Sequence, residues 1–309
     1  MKIIDIGANL TDPVFRGVYR GKRAHEDDMN KMIERAQSAG IVAMMVTGGN
    51  LAESKQAIKL SHEHSSFFAT VGCHPTRTSE IEIDGRSADA YFSQLRELIM
   101  ANSGRVVAIG ECGLDYDRLQ FSSKEVQNKH FYRHFELAKT TGLPMFFHDR
   151  NTEGDFARTI KKNRHQFGDG VVHSFTGTEA DLRELLELNL HIGINGCSLK
   201  TEENLAVAKL VPLDRLMIET DCPYCEIRPT HASHALLPAK AENTDEWQMP
   251  ESKRKERWSG ECMVKSRNEP CTIRQVIQVM AKLHDISEAE LADHAYKNTY
   301  RVFFKNVSF

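Results

Sequence analysis

The chain has 309 residues, 40% of them hydrophobic, and a formal net charge of −3, so it can bury a sizeable core and carries no global basic footprint for nucleic acid. Seven cysteines without a signal-peptide pattern read as free thiols in a reducing compartment, and no apolar run approaches the length of a membrane span. These properties exclude a membrane protein and a disulfide-stapled secreted scaffold, and they leave a local grip on phosphate open.

Ile3 to Gly7 reads as a short strand, followed by a loop rich in Gly and Arg up to Glu26. Met29, Met32, Ile33 and Ala36 share one face of a helix predicted over Asp28 to Gly40, where the glycine stops it. Strand Ile41–Thr47 turns through Gly48-Gly49-Asn50 into a helix from Leu51 to His64. Strand Phe67–Gly72 ends on Cys73-His74-Pro75, and a helix around Ala90–Ala101 leads to the run Val106–Ile109. Helix Lys124–Thr141, strand Pro144–His148, helix Glu153–His165 and strand Gly170–His173 follow. Then come helix Glu179–Leu188, strand His191–Ile194, a helix from the Thr201 cap to Leu210, and strand Leu216–Asp221. Two helices close the chain, Thr272–His284 and Ser287–Phe304, the second opening on a capping-box pattern at Ser287-Glu288-Ala289-Glu290.

Eight short strands separated mostly by helices favour a parallel sheet, and eight such units favour closure into an α/β fold of the (β/α)8 TIM-barrel type. The competing architecture is an open doubly wound sheet. In both, the functional loops lie at the carboxyl ends of the strands. One domain over residues 1–309 is expected, with a long active-site loop at about 222–271 that is polar and lacks apolar periodicity. Its Lys253-Arg254-Lys255-Glu256-Arg257 run reads as a solvated surface helix.

Four apolar runs stop on residues able to bind a metal: Glu111, between Gly110 and Gly113, then His148, His173 and Asp221. A charged side chain directly after a buried strand needs compensation for its desolvation, which a cation supplies. A lone strand histidine is more often a hydrogen-bonded structural residue than a ligand; four donors at four strand ends converge on one mouth if the barrel closes. Mixed carboxylate and imidazole donors suit Zn, Mn or Fe, and Mg where a substrate phosphate supplies further oxygens. His74, at a fifth strand end, is placed to contact a phosphate or shuttle a proton, or simply to pack beside Pro75. Cys73, Cys112 and Cys222 adjoin candidate residues, but strand alternation turns them away, and Cys222-Pro-Tyr-Cys225 lacks a partner pair for a zinc or redox motif.

The blocks Ile-Gly-Glu111-Cys-Gly-Leu-Asp115, Val-Gly-Cys-His74-Pro, Phe-Phe-His148-Asp-Arg150, Val-Val-His173-Ser-Phe-Thr-Gly, Ile-Glu-Thr-Asp221-Cys-Pro-Tyr and Arg267-Asn268-Glu269-Pro270 resemble the signature blocks of TatD-type metal-dependent deoxyribonucleases, in order and over nearly the whole chain. Asp5-Ile-Gly-Ala-Asn9-Leu-Thr-Asp-Pro and Arg118-Leu-Gln-Phe resemble the eukaryotic branch of that family. The resemblance implies a TIM-barrel hydrolase of the amidohydrolase-like type that cleaves DNA phosphodiesters, often from 3′ to 5′. It assigns Glu111, His148, His173 and Asp221 to metal, and His74 to substrate. Many members open with two histidines where this chain has Gly7 and Asn9, so a residual first metal site would rest on Asp5 and Asn9. That shift towards oxygen donors makes Mg the leading divalent metal, with Mn or Zn as alternatives.

The expected mechanism gives Glu111 and the histidines to metal, Asp221 to metal and proton transfer, and His74 and Arg150 to the phosphate, unless Arg150 pairs with an acid. Asn268 and Glu269 are expected to shape a substrate groove. Expected partners are a DNA substrate, no membrane and no obligate protein, in the nucleus or cytoplasm. Two alternatives share the barrel: a hydrolase of a small amide, lactone or phosphoester, and a metal-stabilised scaffold without turnover.

Overall fold

Eight strands pair in parallel, each with its neighbour in sequence: β1 Ile3–Ala8, β2 Ile41–Val46, β3 Phe67–Val71, β4 Val106–Asp115, β5 Met145–Arg150, β6 Gly170–Val172, β7 His191–Ile194 and β8 Leu216–Ile218. This computed structural model describes residues 1–85, 87–238, 247–305 and 307. The seam between first and last strands closes beyond β8, where Asp221 N–H donates to Gly7 O and Asn9 N–H to Cys222 O, both at 2.8 Å. A parallel bridge between Ala8 and Cys222 completes the barrel. The open doubly wound sheet is thereby excluded. Closure also sets Gly7 and Asn9 beside Asp221, although more than 200 residues separate them in sequence.

Side-chain alternation builds two apolar layers. Ile4, Ile6, Met45, Phe68, Val107, Phe146 and Met217 fill the barrel interior, which Val302, Phe303 and Phe304 plug from below. Phe304 meets Phe68 edge-on at 4.9 Å. The alternate residues, such as Ile3, Met44, Phe67 and Phe147, face the surrounding helices. These are α1 Met29–Ser38, α2 Leu51–Glu63, α3 Ala88–Ala101, α4 Lys124–Thr141, α5 Asp155–Asn163, α6 Glu179–Glu187, α7 Glu202–Ala208, α8 Ile273–His284 and α9 Glu288–Thr299. Thr178 and Thr201 each form both halves of a capping box; at Ser287 only the forward half forms, Glu290 N–H donating to Ser287 Oγ.

Three local expectations change. The loop before Glu26 contains a 3-10 turn at Pro13–Arg16 and a two-residue hairpin, Val18–Tyr19 with Lys22–Arg23. The run at 253–257 is no helix: Ser252–Lys253 pairs with Met263–Val264 and a single 3-10 turn covers Lys255–Arg257, because adjacent charges there have no apolar face to dock. Part of the expected long loop, 239–246, lies outside the described residues. The last helix ends at Thr299 and passes into a π turn, Tyr300–Phe304, which carries the aromatic plug. No helix among the described residues is long and apolar enough to cross a membrane.

Candidate metal centre

β4 carries Glu111 into the mouth of the barrel through an irregularity in its pairing. The register with β5 shifts between Ile109 and Cys112, so that Gly113 lies opposite His148 and Asp115 opposite Arg150. Gly110 and Gly113 take φ values of 146° and 150°, and a Cβ at either would lie within 2.2 Å of a β5 carbonyl, Phe146 O or His148 O. Only glycine lets the two backbones approach so closely there. The two glycines noted around the carboxylate are thus what bend the strand to present it.

Three histidines converge on one oxygen of that carboxylate. Glu111 Oε1 lies 2.8 Å from His173 Nε2, 2.9 Å from His148 Nδ1 and 3.3 Å from His74 Nε2. Burial opposes the charge on Glu111, but the three imidazoles outweigh it and hold its carboxyl well below the usual range. His148 and His173 are correspondingly pushed up: burial works against protonation, and Asp115 with Glu111 at His148, or Glu111 with Glu219 at His173, prevail. At His74, burial wins over Glu111 and favours the neutral ring. Its Nδ1 accepts from Thr76 N–H at 3.1 Å, so the proton resides on Nε2, facing the centre.

Asp115 is a member of the site that sequence alone left without a role. Fully buried, it places Oδ2 3.2 Å from His148 Nε2, while Oδ1 accepts from Asp117 N–H. His134, unremarked in the sequence, anchors the strand end beside His74: its Nε2 accepts from Cys73 N–H at 3.0 Å while Nδ1–H donates to His130 O. Burial lowers its pKa to about 4, which keeps that tautomer neutral. The signal was available as two histidines four apart on one face of α4.

Asp221 stands next to this cluster rather than within it. Its Oδ1 accepts from Asn9 Nδ2 at 2.8 Å, and Cys225 Sγ lies 3.3 Å from Oδ2. Burial raises its pKa to about 6, against the pull of His173. Asp5 is spent on structure, accepting from Thr220 N–H, Thr220 Oγ–H and Gly7 N–H. Asn9 likewise directs its amide to Asp221, so the residual first site expected on Asp5 and Asn9 is occupied by bonds that hold the β8 end.

The remaining expected substrate residues divide. Arg150 donates from Nε to Asp117 Oδ2 at 2.8 Å, the acid pairing weighed against a phosphate role, yet it stays half exposed. Arg118 also approaches the centre, its Nε 3.8 Å from Asp115 Oδ2. Asn268 and Glu269 do not line a groove. Glu269 is fully buried, bound by Arg35 and Arg267, and Arg267 in turn pairs with Asp28. Asn268 donates to the carbonyls of Thr220 and Tyr224 on either side of Asp221. The polar run was a buried brace because each charge in it has an opposite partner.

The donor atoms of Glu111, His148 and His173 lie within 4.8 Å of one another, and His74, Asp115 and His148 form a second such group. The first fits a divalent cation well: His148 Nδ1 and His173 Nε2 lie only 3.4 Å apart against one carboxylate oxygen, an arrangement that a cation between them would satisfy. A parallel eight-stranded barrel with donors that could hold a metal at its mouth is a TIM barrel of the amidohydrolase-like type.

The sequence profile of the TatD related DNase family matches residues 4–304. A deoxyribonuclease Tat-D of Schizosaccharomyces pombe is 41% identical over 309 residues, covering 99% of this chain and 96% of that protein. A 3′-5′ ssDNA/RNA exonuclease TatD of Erwinia tasmaniensis is 34% identical over 97% of this chain and 99% of its own. The crystal structure of an uncharacterized amidohydrolase from Saccharomyces cerevisiae superposes with a TM-score of 0.89 at 34% identity, covering 98% of this chain and all of that one. The chain belongs to the TatD related DNase family and is a hydrolase of the deoxyribonuclease class.

Proposed function

We propose that this chain removes nucleotides from the 3′ end of DNA strands in a reaction dependent on a divalent cation, Mg before Mn or Zn. The observation that carries the reading is the convergence of three imidazoles on the Glu111 carboxylate at the barrel mouth. The 3′-to-5′ direction is supported by the bacterial relative named for that activity. Glu111, His148 and His173 would hold the cation, with Asp221 at their side. Bound there, a divalent cation supplies Lewis acidity towards a phosphoryl oxygen and makes water a better nucleophile at neutral pH.

The protein's own groups do the rest. Asp221, with one oxygen fixed by Asn9, is the acceptor for the proton of the attacking water; its raised pKa places it closer to neutrality, where a general base is most effective. His74 presents an Nε2–H that donates to a non-bridging phosphate oxygen. Arg118 and Arg150, both about half exposed, meet the strand's phosphates at the rim. One domain carries the whole site, and the segment around 222–271 contributes the Asn268 brace. The free cysteines favour an intracellular setting, nucleus or cytoplasm.

The test is degradation of a labelled DNA strand, with and without chelator, by wild type and Glu111→Ala. Metal-dependent shortening from the 3′ end by wild type alone is expected. Equal activity in all conditions would sink the assignment.

A further inference from the structure

Glu219 lies two residues before Asp221 and has no part in the mechanism above. It is fully buried. Its Oε1 is the hub of three contacts: Ser174 N–H donates to it at 2.6 Å, Asn195 Nδ2 at 3.0 Å, and His173 Nδ1 lies 3.4 Å away. Ser174 has φ +49° and Asn195 also donates to Ser174 Oγ, so the carboxylate holds the turn that follows His173 as well as its ring. Its second oxygen, Oε2, has no hydrogen-bond partner among the described residues. That oxygen occupies the space a side chain at position 7 would need: a Cβ built on Gly7 would lie 2.5 Å from Oε2.

We propose that Glu219 is the positioning residue of the metal centre, fixing His173 with Nδ1–H outward and Nε2 towards Glu111, and that Gly7 exists to leave room for it. The inference rests on the metal-centre reading above. A carboxylate on the far nitrogen of a ligating histidine sets its tautomer and orientation and raises its basicity. Gly7 has no positive φ, so a methyl there meets no backbone penalty of its own; it meets Glu219. Retreat of the carboxylate would break the bonds that tie Oε1 to Ser174 and Asn195. Moving it releases His173. The missing histidine at position 7 is therefore coupled to Glu219, and restoring a side chain there disturbs the site instead of completing a second one.

The experiment is titration of the full chain with Mn2+ by isothermal calorimetry, for wild type, Gly7→Ala, Glu219→Gln, Glu219→Ala and Gly7→Ala with Glu219→Ala. Glu219→Ala should weaken Mn2+ binding by about 10- to 100-fold, and Glu219→Gln, which keeps an acceptor but not the charge, by less. Gly7→Ala should weaken it roughly tenfold alone and add nothing in the Glu219→Ala background, because the clash partner is gone. Wild-type affinity in Glu219→Ala, or an equal loss from Gly7→Ala in both backgrounds, overturns the proposal. If wild type itself binds no Mn2+, the metal centre falls, and this proposal with it. A second measurement needs no variant: nitrogen NMR of the His173 ring in Mg2+-loaded wild type should report Nδ1–H, and an Nε2–H tautomer would overturn the assignment.

Discussion

Replacing Asn268 by Ala separates a brace from a substrate contact. The amide donates to Thr220 O at 3.0 Å and Tyr224 O at 2.7 Å, and its oxygen accepts from Thr272 Oγ–H at 2.6 Å and Glu269 N–H at 3.1 Å. Truncation removes all four bonds. At a net value near 1 kcal/mol for each of the two buried carbonyls, plus a similar amount for the stranded donors, the loss is about 3 kcal/mol. Unfolding entropy scales to about 0.65 kcal/mol/K for 309 residues, so the melting temperature should fall by about 5 °C.

The catalytic consequence follows from where the bonds end. Thr220 and Tyr224 flank Asp221, so the variant loosens the residue proposed as proton acceptor and leaves Arg118 and Arg150 in place. Turnover on a single-stranded 3′-labelled DNA should drop by about 10- to 100-fold, with KM changed by less than about threefold. Steady-state kinetics with a calorimetric melt of the same preparation checks both numbers. A raised KM at unchanged kcat and unchanged melting would refute the reasoning and return Asn268 to the substrate groove.

Glu111→Gln should abolish metal-induced stabilisation: Mn2+ at about 100 times its Kd raises wild-type stability by about 2.7 kcal/mol, or about 4 °C, and an equal rise in the variant contradicts the ligand role. Asp5 has its pKa raised to about 7, first by burial and against bonds from Thr220 and Gly7. Its contribution is fully present below the unfolded value of 3.8 and is lost as pH rises through 7, so Asp5→Asn should gain on wild type by on the order of 3 kcal/mol between about pH 5 and pH 8 in denaturant titrations; a constant difference would refute the shift. Glu269→Gln leaves the buried guanidinium groups of Arg35 and Arg267 to share Asp28 as their counter-charge and should cost about 3 kcal/mol of stability, read as a drop in melting temperature that a surface ion pair would not give. Phe304→Ala opens the floor of the barrel and should cost about 3–5 kcal/mol while Mn2+ affinity stays within about twofold; a lost metal site would show that the plug does more than pack.

Strand-end chemistry was legible because apolar runs that stop on Glu111, His148 and His173 leave a local mark in sequence. Asp115 was visible as a carboxylate but had no role, since its partner depends on a register shift between Ile109 and Cys112 that counting residues cannot supply. Glu219 was hidden by Asp221. Both lie beyond the end of β8, and Asp221 takes a positive φ of 51°, so the purpose of Glu219 appears only once His173 and Gly7 are placed around it. Asn268 and Glu269 were misread because polarity in a long segment suggests solvent, whereas here Arg35 arrives from α1 to neutralise it. The charged run at 253–257 failed for the opposite reason: helix-forming residues without a buried face have nothing to hold them in a helix.

The three histidines of the mouth carry a common logic that no ligand inventory conveys. Each offers one nitrogen to Glu111 and turns the other to a neighbour: His74 Nδ1 to Thr76 N–H, His148 Nε2 to Asp115, and His173 Nδ1 to Glu219, 3.4 Å away. The outward partners therefore choose the inward atom, Nε2 for two rings and Nδ1 for His148. Thr76 is two residues from its histidine, Asp115 is on the neighbouring strand and four residues from Glu111, and Glu219 reaches across from the end of β8. A single glutamate could not orient three rings by itself. Because these partners come from three different strand ends, the geometry of the centre is set by closure of the barrel, and a change at any of the three should alter metal affinity before it alters the fold.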